Sequence, residues 1–393
     1  MEKSKDNSKR LGKYLIANVT GESYQAFLPP ALPPDPPIDL MQLQKLLARA
    51  GQAIGRLDSV IEVMPDINLL LYYYIRKDAV LSSQIEGTQS SLSDLLLFER
   101  QEIPSVPLED VAEVSSYVAA IEHGVKRLKE GFPLTLRLIR EMHKILLTHG
   151  RGSNKQPGEF RISQNWLGGT RPGNALYVPP PPERLMEFLD PFEKYMHEEK
   201  RIYASLIDAG LLHVQFETIH PFLDGNGRIG RLLITMFLIK SGDLKQPLLY
   251  LSLFFKNNRQ EYYNRLSAVR QKGDWEGWLQ FFLTGVAETA DQVLQTSKKI
   301  DKLFISDLQL ITTLKRAGIR ARSAQEVLRK KAIISALDAA KQMNTTIQTS
   351  RAALKDLTEL GIAHEISGRG KERLYVYTQL IKILDEGTEP IVY

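Results

Sequence analysis

The stretch His220-Pro-Phe-Leu-Asp-Gly-Asn-Gly-Arg-Ile-Gly-Arg231 governs how the rest of the 393-residue chain is read. Gly225-Asn226-Gly227 permits backbone conformations closed to other residues, and successive N–H groups there can curl into a nest for an anion. The apolar run Leu232–Leu238 follows at once, which sets that nest on a helix N-terminus, where the dipole also favours negative charge. Arg228 and Arg231 stand at i and i+3 and are expected to project to one side of the first turn. Two guanidiniums over a nest suit a polyphosphate. Asp224, just ahead, is placed to hold a hard cation bridging phosphate oxygens. His220 is the one group here that takes a proton near neutral pH. Phe222 alternates with these positions and is expected to point inward. Each residue alone has a plainer reading, as a structural histidine, a core phenylalanine or a solvated arginine. Their joint occurrence in one short run argues for a site.

Outward from this run the pattern is helical. Leu40, Leu43, Leu46, Leu47 and Ile54 fit one apolar stripe; Ile67, Leu70, Leu71, Tyr74 and Ile75 fit another. Further helices are predicted across Val111–Lys129, Leu134–Thr148, Glu183–Glu198, Ile202–Glu217, Gly227–Ser241, Gln260–Gln271 and Trp275–Thr296. Before Leu40, the segment Phe27–Pro37 is too proline-rich for helix and reads as an extended arm. Between the helices, Gln164–Val178 places two short semi-apolar arms around a Gly/Pro/Asn tip and runs into Pro179–Pro182. That composition predicts a β-hairpin acting as a lid or docking edge, with an irregular surface loop as the other reading.

After Asp301 the character changes. Helical patterns at Leu308–Arg316, Ser323–Arg329 and Ile333–Gln342 lead to Ser350–Leu360, closed by Gly361. Two short alternating segments, Ile362–Ile366 and Arg373–Tyr377, flank the basic stretch Ser367–Glu372. This resembles a winged helix, a module that binds DNA in some proteins and other proteins in others. Residues 301–393 hold 15 Lys/Arg against 11 Asp/Glu, most of the chain's formal charge of +5. The composition, 43% apolar and 25% charged, is that of a globular protein. The absence of cysteine excludes disulfides and zinc–thiolate sites. No apolar N-terminal signal and no run long enough to span a bilayer is evident, which points to a cytoplasmic protein without membrane contact.

The run 220–231 matches, at every defined position, the Fic family signature His-x-Phe-x-(Asp/Glu)-Gly-Asn-Gly-Arg-x-x-Arg. Pro157-Gly-Glu-Phe-Arg161, Tyr177-Val-Pro-Pro-Pro-Pro182 and Tyr262-Tyr263 also resemble that family. The resemblance implies a mainly α fold: a Fic-type helical bundle with a small β-hairpin flap at 164–179 and a C-terminal winged-helix-like domain. It divides the chain into an arm (1–39), a catalytic domain (40–300) and the winged-helix-like domain (301–393). It further implies transfer of AMP from ATP to a Ser, Thr or Tyr hydroxyl of a target protein docked on the flap, the enzyme itself among the targets. His220 is then the base and Asp224 the Mg²⁺ ligand. Gly225, Asn226 and Gly227 cradle the phosphates, in a nucleotide-binding run that continues through Arg228, Ile229, Gly230 and Arg231. Arg228 takes the β-phosphate and Arg231 the γ-phosphate, and Tyr263 lines the adenosine pocket.

Upstream, Ser82-Ser-Gln-Ile-Glu-Gly87 resembles the inhibitory pattern (Ser/Thr)-x-x-x-Glu-(Gly/Asn) of Fic proteins whose brake precedes the active site. By that resemblance Glu86, on an inhibitory helix at 78–87, pairs with Arg231 and withdraws it from ATP, while Ser82 orients the pair. Members of this kind often pair, so a homodimer is a candidate assembly. Two other functional readings stand beside AMP transfer. In one, Glu86 aligns water and the site also removes AMP; in the other, the chain is a nucleotide-sensing DNA-binding regulator.

Overall fold

The computed structural model describes residues 7–19, 22–63, 67–100, 104–367 and 373–390. Among these, fifteen α-helices and five short strands are formed, so the mainly helical expectation holds. The bundle comprises α1 (Leu40–Val63), α2 (Ile67–Ile85), α3 (Leu92–Phe98), α4 (Leu108–Lys129), α5 (Leu136–Leu146), α6 (Leu185–His197) and α7 (Ser205–Ile219). It continues with α8 (Asn226–Lys240), α9 (Ser252–Asn257), α10 (Arg259–Lys272) and α11 (Trp275–Thr312). Side-chain caps set several starts: Thr135 Oγ1 accepts from Leu138 N–H, and Ser91 and Asp94 form a reciprocal capping box. Helices α7 and α8 are buried on nearly every side, with α1 and α11 packed along each other and α4 and α2 packed against α8. Among the described residues no helix is long and apolar enough to cross a membrane.

The structure departs from the sequence reading in the flap, in a helix that runs through residue 300, and at Ile333–Ser335, where a strand stands at the start of an expected helix. Ahead of the extended Phe27–Pro37 segment it adds a hairpin: β1 (Lys13–Val19) and β2 (Glu22–Leu28) pair antiparallel, with Tyr14 opposite Phe27. The proline segment that follows is pinned by buried Arg10, which donates to the Pro36 and Pro37 carbonyls (2.7 Å each) and pairs with Glu276 at 2.7 Å. The expected flap hairpin is reduced to one antiparallel bridge, Leu167 to Tyr177, around a short 3₁₀ turn at Pro172–Asn174. Glycine at 168, 169 and 173 and proline at 172 leave too few ladder-forming residues for strands. Instead the flap is braced from outside, Phe27 N–H of β2 donating to the Val178 carbonyl at 2.9 Å. Finally, α11 runs unbroken for 38 residues, so the expected divide at residue 300 falls inside one helix.

Beyond α11 come α12 (Gly318–Lys330), β3 (Ile333–Ser335), α13 (Ala336–Gln342), α14 (Ile347–Glu359), β4 (His364–Ser367), β5 (Arg373–Val376) and α15 (Thr378–Asp385). The strands form a sheet in the order β3-β5-β4 with Ile366 opposite Leu374. The basic tip expected between β4 and β5 lies outside the described residues. This region shares one continuous apolar core with the bundle. Buried Tyr73 of α2 accepts the Ala332 N–H at 2.7 Å, and Arg100 pairs with Asp338.

Candidate active site

Helix α7 ends at His220, whose left-handed backbone (φ 50°) turns the chain back on itself; Gly225 (φ 76°) then starts α8. Between them Asn226 clamps the loop shut. Its Oδ1 accepts from Phe222 N–H (2.9 Å) and its Nδ2 donates to the Phe222 carbonyl (2.8 Å). The Asn226 side chain is therefore spent on the loop, and what it offers an anion is its backbone N–H at the helix end. Phe222 is fully buried and stacked on His143 of α5, ring centroids 3.7 Å apart. His143 Nδ1 accepts from Gly158 N–H at 2.8 Å, which leaves Nε2–H to donate to the Asp224 carbonyl at 3.0 Å. Burial lowers the His143 pKa to about 4, keeping it in that neutral form.

His220 itself is held by its own helix. Its Nδ1 lies 3.3 Å from the Glu217 carbonyl, a partner that only an N–H satisfies, so Nε2 carries the free lone pair. Burial, aided by the Arg161 guanidinium nearby, lowers its pKa from 6.5 to about 4. A neutral imidazole with an available Nε2 can accept a proton across the physiological range. Arg161 fixes the turn from behind: Nε donates to the His220 carbonyl (2.9 Å) and Nη2 to the Pro180 carbonyl (2.5 Å). Asn165 on the flap donates to the Phe222 carbonyl at 2.8 Å, tying the flap to the same loop.

The two arginines do not lie together over the nest as their spacing suggested. Arg228 is buried and turned toward α4, where Glu113 meets it at 2.6 Å, with Asp224 at 3.3 Å. Arg231 is turned toward α2. Its Nε donates to Ser82 Oγ (2.8 Å), and its Nη2 donates to the Ser82 carbonyl (3.0 Å) and Glu86 Oε1 (2.7 Å). The Glu86 carboxylate also rests directly on Gly227, where the Cβ of any other residue would collide with Oε1. It thus stands as an anion against the first turn of α8, in the place the sequence marked for phosphate. Burial alone would raise the Glu86 pKa, but Arg231, with Arg228 and Arg151 behind it, holds it below the usual carboxylate range. Arg151 links the two halves, donating to the Glu86 carbonyl at 2.9 Å and pairing with Glu113 at 3.5 Å. The helix expected at 78–87 is the last turns of the long helix α2, which ends at Ile85, so Glu86 and Gly87 lie in the turn after it.

Asp224 keeps about 30% of its side chain exposed, and its Oδ1 accepts from Gly225 N–H and Arg228. Among the described residues no cluster of three or more acidic or histidine side chains could cage a metal ion. One accessible carboxylate beside an anion nest fits Mg²⁺, which keeps most of its waters and arrives with substrate phosphates. Tyr263 is 37% exposed on α10, with Arg259 over its ring, while its neighbour Tyr262 is buried and donates to His213 Nε2 at 2.8 Å. Gly230 is where Glu217 packs, and a Cβ there would strike Glu217 Oε1, so this glycine serves the α7–α8 contact.

Glu113, His143, Arg151 and Glu217 escaped the sequence reading. Glu113 had a usable signal, since Glu113, Tyr117, Ala120 and Gly124 form one helical face and a carboxylate there must be paired.

A helical bundle with a histidine turn, an anion nest and an arginine clamped by a carboxylate defines a Fic-type domain. Residues 44–126 match the Fic/DOC family N-terminal domain and residues 133–238 the Fic/DOC family domain, and over these stretches the chain belongs to that family. Relatives include the protein adenylyltransferase Fic of Drosophila yakuba and that of Drosophila melanogaster. Each is 27% identical over 244 residues, covering 61% of this chain and 46% of the relative. The chain thus spans about half the length of the curated relatives it matches. Among solved structures, a Fic family protein from Desulfovibrio desulfuricans superposes with a TM-score of 0.57 at 19% identity, covering 86% of this chain and 95% of that one. Fic-1 from C. elegans superposes with a TM-score of 0.51 at 22% identity, covering 65% and 73%. At such identities these likenesses speak for the fold.

Proposed function

We propose that the protein is an autoinhibited adenylyltransferase that moves AMP from ATP to a hydroxyl of a target protein, itself included. The observation that carries this reading is the Arg231–Glu86 pair seated on Gly227, in the same turn that positions His220. His220 Nε2 takes the proton of the incoming hydroxyl, whose oxygen attacks the α-phosphorus as pyrophosphate leaves. The N–H groups at the start of α8 hold the departing phosphates, and Arg231, once free of Glu86, adds its charge to them. Mg²⁺, held by Asp224, neutralises phosphate charge when bound. Glu113 holds the Arg228 guanidinium beside Asp224. The flap, tied to the Phe222 carbonyl through Asn165, offers the target a docking edge next to His220.

The test is the Glu86→Gly variant with α-labelled ATP. Label is expected on the protein itself and on a lysate target, and none in Glu86→Gly combined with His220→Ala. Label arriving only from γ-labelled ATP overturns the reading. The same variant pair, offered AMP-modified protein, tests removal of AMP, which requires Glu86 and is lost in Glu86→Gly.

A second reading rests on a groove of about 810 Å³ on the C-terminal region, where Arg351 and Lys355 of α14 face Arg373 of β5. Lys355 and Arg373 pair with Glu359 and Glu365 of the same groove, at 3.6 and 3.1 Å, so they would meet a nucleic-acid backbone only by exchanging those partners. A salt-dependent gel shift with duplex DNA supports this reading, and no shift at low salt refutes it.

A further inference from the structure

Helix α2 has two working faces. At about 100° per residue, positions 73, 77 and 84 fall within roughly 40° of one another, and position 82 lies about 180° away. One face carries Ser82 and leads to Glu86, both on Arg231. The other is bonded to the far end of the chain. Tyr73 accepts from Ala332, Lys77 Nζ donates to the Glu386 carbonyl at 2.6 Å, and Gln84 Nε2 donates to the Thr388 carbonyl at 2.7 Å. All three side chains are buried, at 1% exposure or less. Lys256 of α9, 9% exposed, joins them by donating to the carbonyls of Gly387 (3.0 Å) and Glu389.

These acceptors are the backbone oxygens that follow the C-terminus of α15, where the helix dipole is negative, within the acidic sequence Asp385-Glu-Gly-Thr-Glu389. Asp385, Glu386 and Glu389 add charge to the same place, and Lys299 closes it from outside by pairing with Glu386 at 2.7 Å. Gly387 has a left-handed backbone (φ 84°) that lets the segment curl over the lysines, and a Cβ there would meet Leu253 Cδ1 at 2.9 Å. Two buried ammonium groups take backbone carbonyls from this segment, so it cannot leave without stranding them. Gln84 is two residues from Glu86, and the chain leaves α2 immediately after it.

We propose that the segment Glu386–Glu389 is a strap that holds the end of α2 in place and so sets the strength of the Glu86 brake. Seated, it presses Gln84 and Lys77 into the core and keeps Ser82 and Glu86 on Arg231. Displaced, it frees the last turns of α2 and lets Arg231 turn to nucleotide. Events in the C-terminal region thereby reach the active site through one helix.

The proposal rests on the AMP-transfer reading only for its activity readout. Two variants of the 393-residue chain test it, one lacking residues 386–393 and one carrying Gly387→Ala, which keeps every lysine partner in the sequence. Amide hydrogen exchange across residues 80–88 is expected to quicken ~10-fold or more in both, with the amides of α7 unchanged. Transfer from α-labelled ATP is expected to rise at least ~3-fold over wild type, and to rise no further when Gly387→Ala is added to Glu86→Gly. Exchange that is unchanged in Gly387→Ala, or that quickens equally in α7, overturns the strap. So does an equal gain in activity with and without Glu86. If Glu86→Gly transfers no AMP at all, the proposed activity falls, and the exchange measurement still decides the strap.

Discussion

Replacing Glu86 by glutamine keeps the side chain over Gly227 and removes its charge. The pair it weakens has one partner almost fully buried, Arg231 at 2% exposure, and one partly wet, Glu86 at 31%. An exposed ion pair contributes about 0–1 kcal/mol, and a hydrogen bond to a buried charged group about 1.5–3. This pair belongs near the middle, at about 2 kcal/mol. Glutamine still accepts from Arg231 as a neutral partner worth about 1 kcal/mol, so the substitution removes about 1 kcal/mol of bias. That corresponds to a ~5-fold gain in the Arg231-free population, and Glu86→Gly gives ~30-fold or more. The assay is single-turnover transfer from α-labelled ATP at subsaturating nucleotide, run on wild type, Glu86→Gln and Glu86→Gly. The expected order is wild type, then glutamine, then glycine. Glutamine no faster than wild type, at normal ATP binding, refutes an electrostatic brake.

Further expectations concern proton-carrying groups and the loop. With the His220 pKa at about 4, below its ordinary 6.5, the neutral base survives as pH falls, so the kcat/KM of Glu86→Gln stays level from pH 8 to about 5. Half-loss near pH 6.5 in a pH–rate profile contradicts this. Burial raises the Glu217 pKa from 4.5 to about 7, so folding opposes its ionisation. The resulting stability is present below about pH 4.5 and is lost as pH rises to about 7, and Glu217→Gln abolishes that slope in thermal melts at pH 5 and 7.5. Asn226→Ala deletes both bonds to Phe222 and is expected to cost about 1–3 kcal/mol, read as a lower Tm, with transfer falling more than ATP affinity. Equal losses in rate and affinity show instead that Asn226 serves nucleotide binding.

The active turn was legible because its chemistry is contiguous. His220, Asp224 and the glycines act through their own backbone turn, so their spacing carries the geometry. Ser82 and Glu86 were legible through a motif resemblance, although no local rule links position 86 to position 231. The orientation of the arginines was not legible. Spacing of i and i+3 sets where Arg228 and Arg231 leave the helix, but Glu113 on α4 and Ser82 on α2 decide where their guanidiniums end. The same holds for His143 and Arg161, ordinary residues until the fold brings them to Asp224 and His220. In the flap, the arms read as strands in isolation, and support from β2 replaced the missing ladder. Through residue 300 the helix continues because Ile300, Phe304 and Ile311 extend the buried stripe of α11.

The seat of Glu86 on Gly227 makes that carboxylate a tethered ligand. Under the proposed brake it would compete with nucleotide from within the same molecule, at an effective concentration fixed by the turn at Gly87 and independent of how much protein is present. Dilution cannot relieve such a competitor. Rising nucleotide can, and anything that lengthens or loosens the tether lowers its local concentration without touching the site. The apparent dissociation constant for ATP would then be the intrinsic one divided by the fraction of time the seat is empty. On that reading a single side chain sets the nucleotide level at which the protein responds.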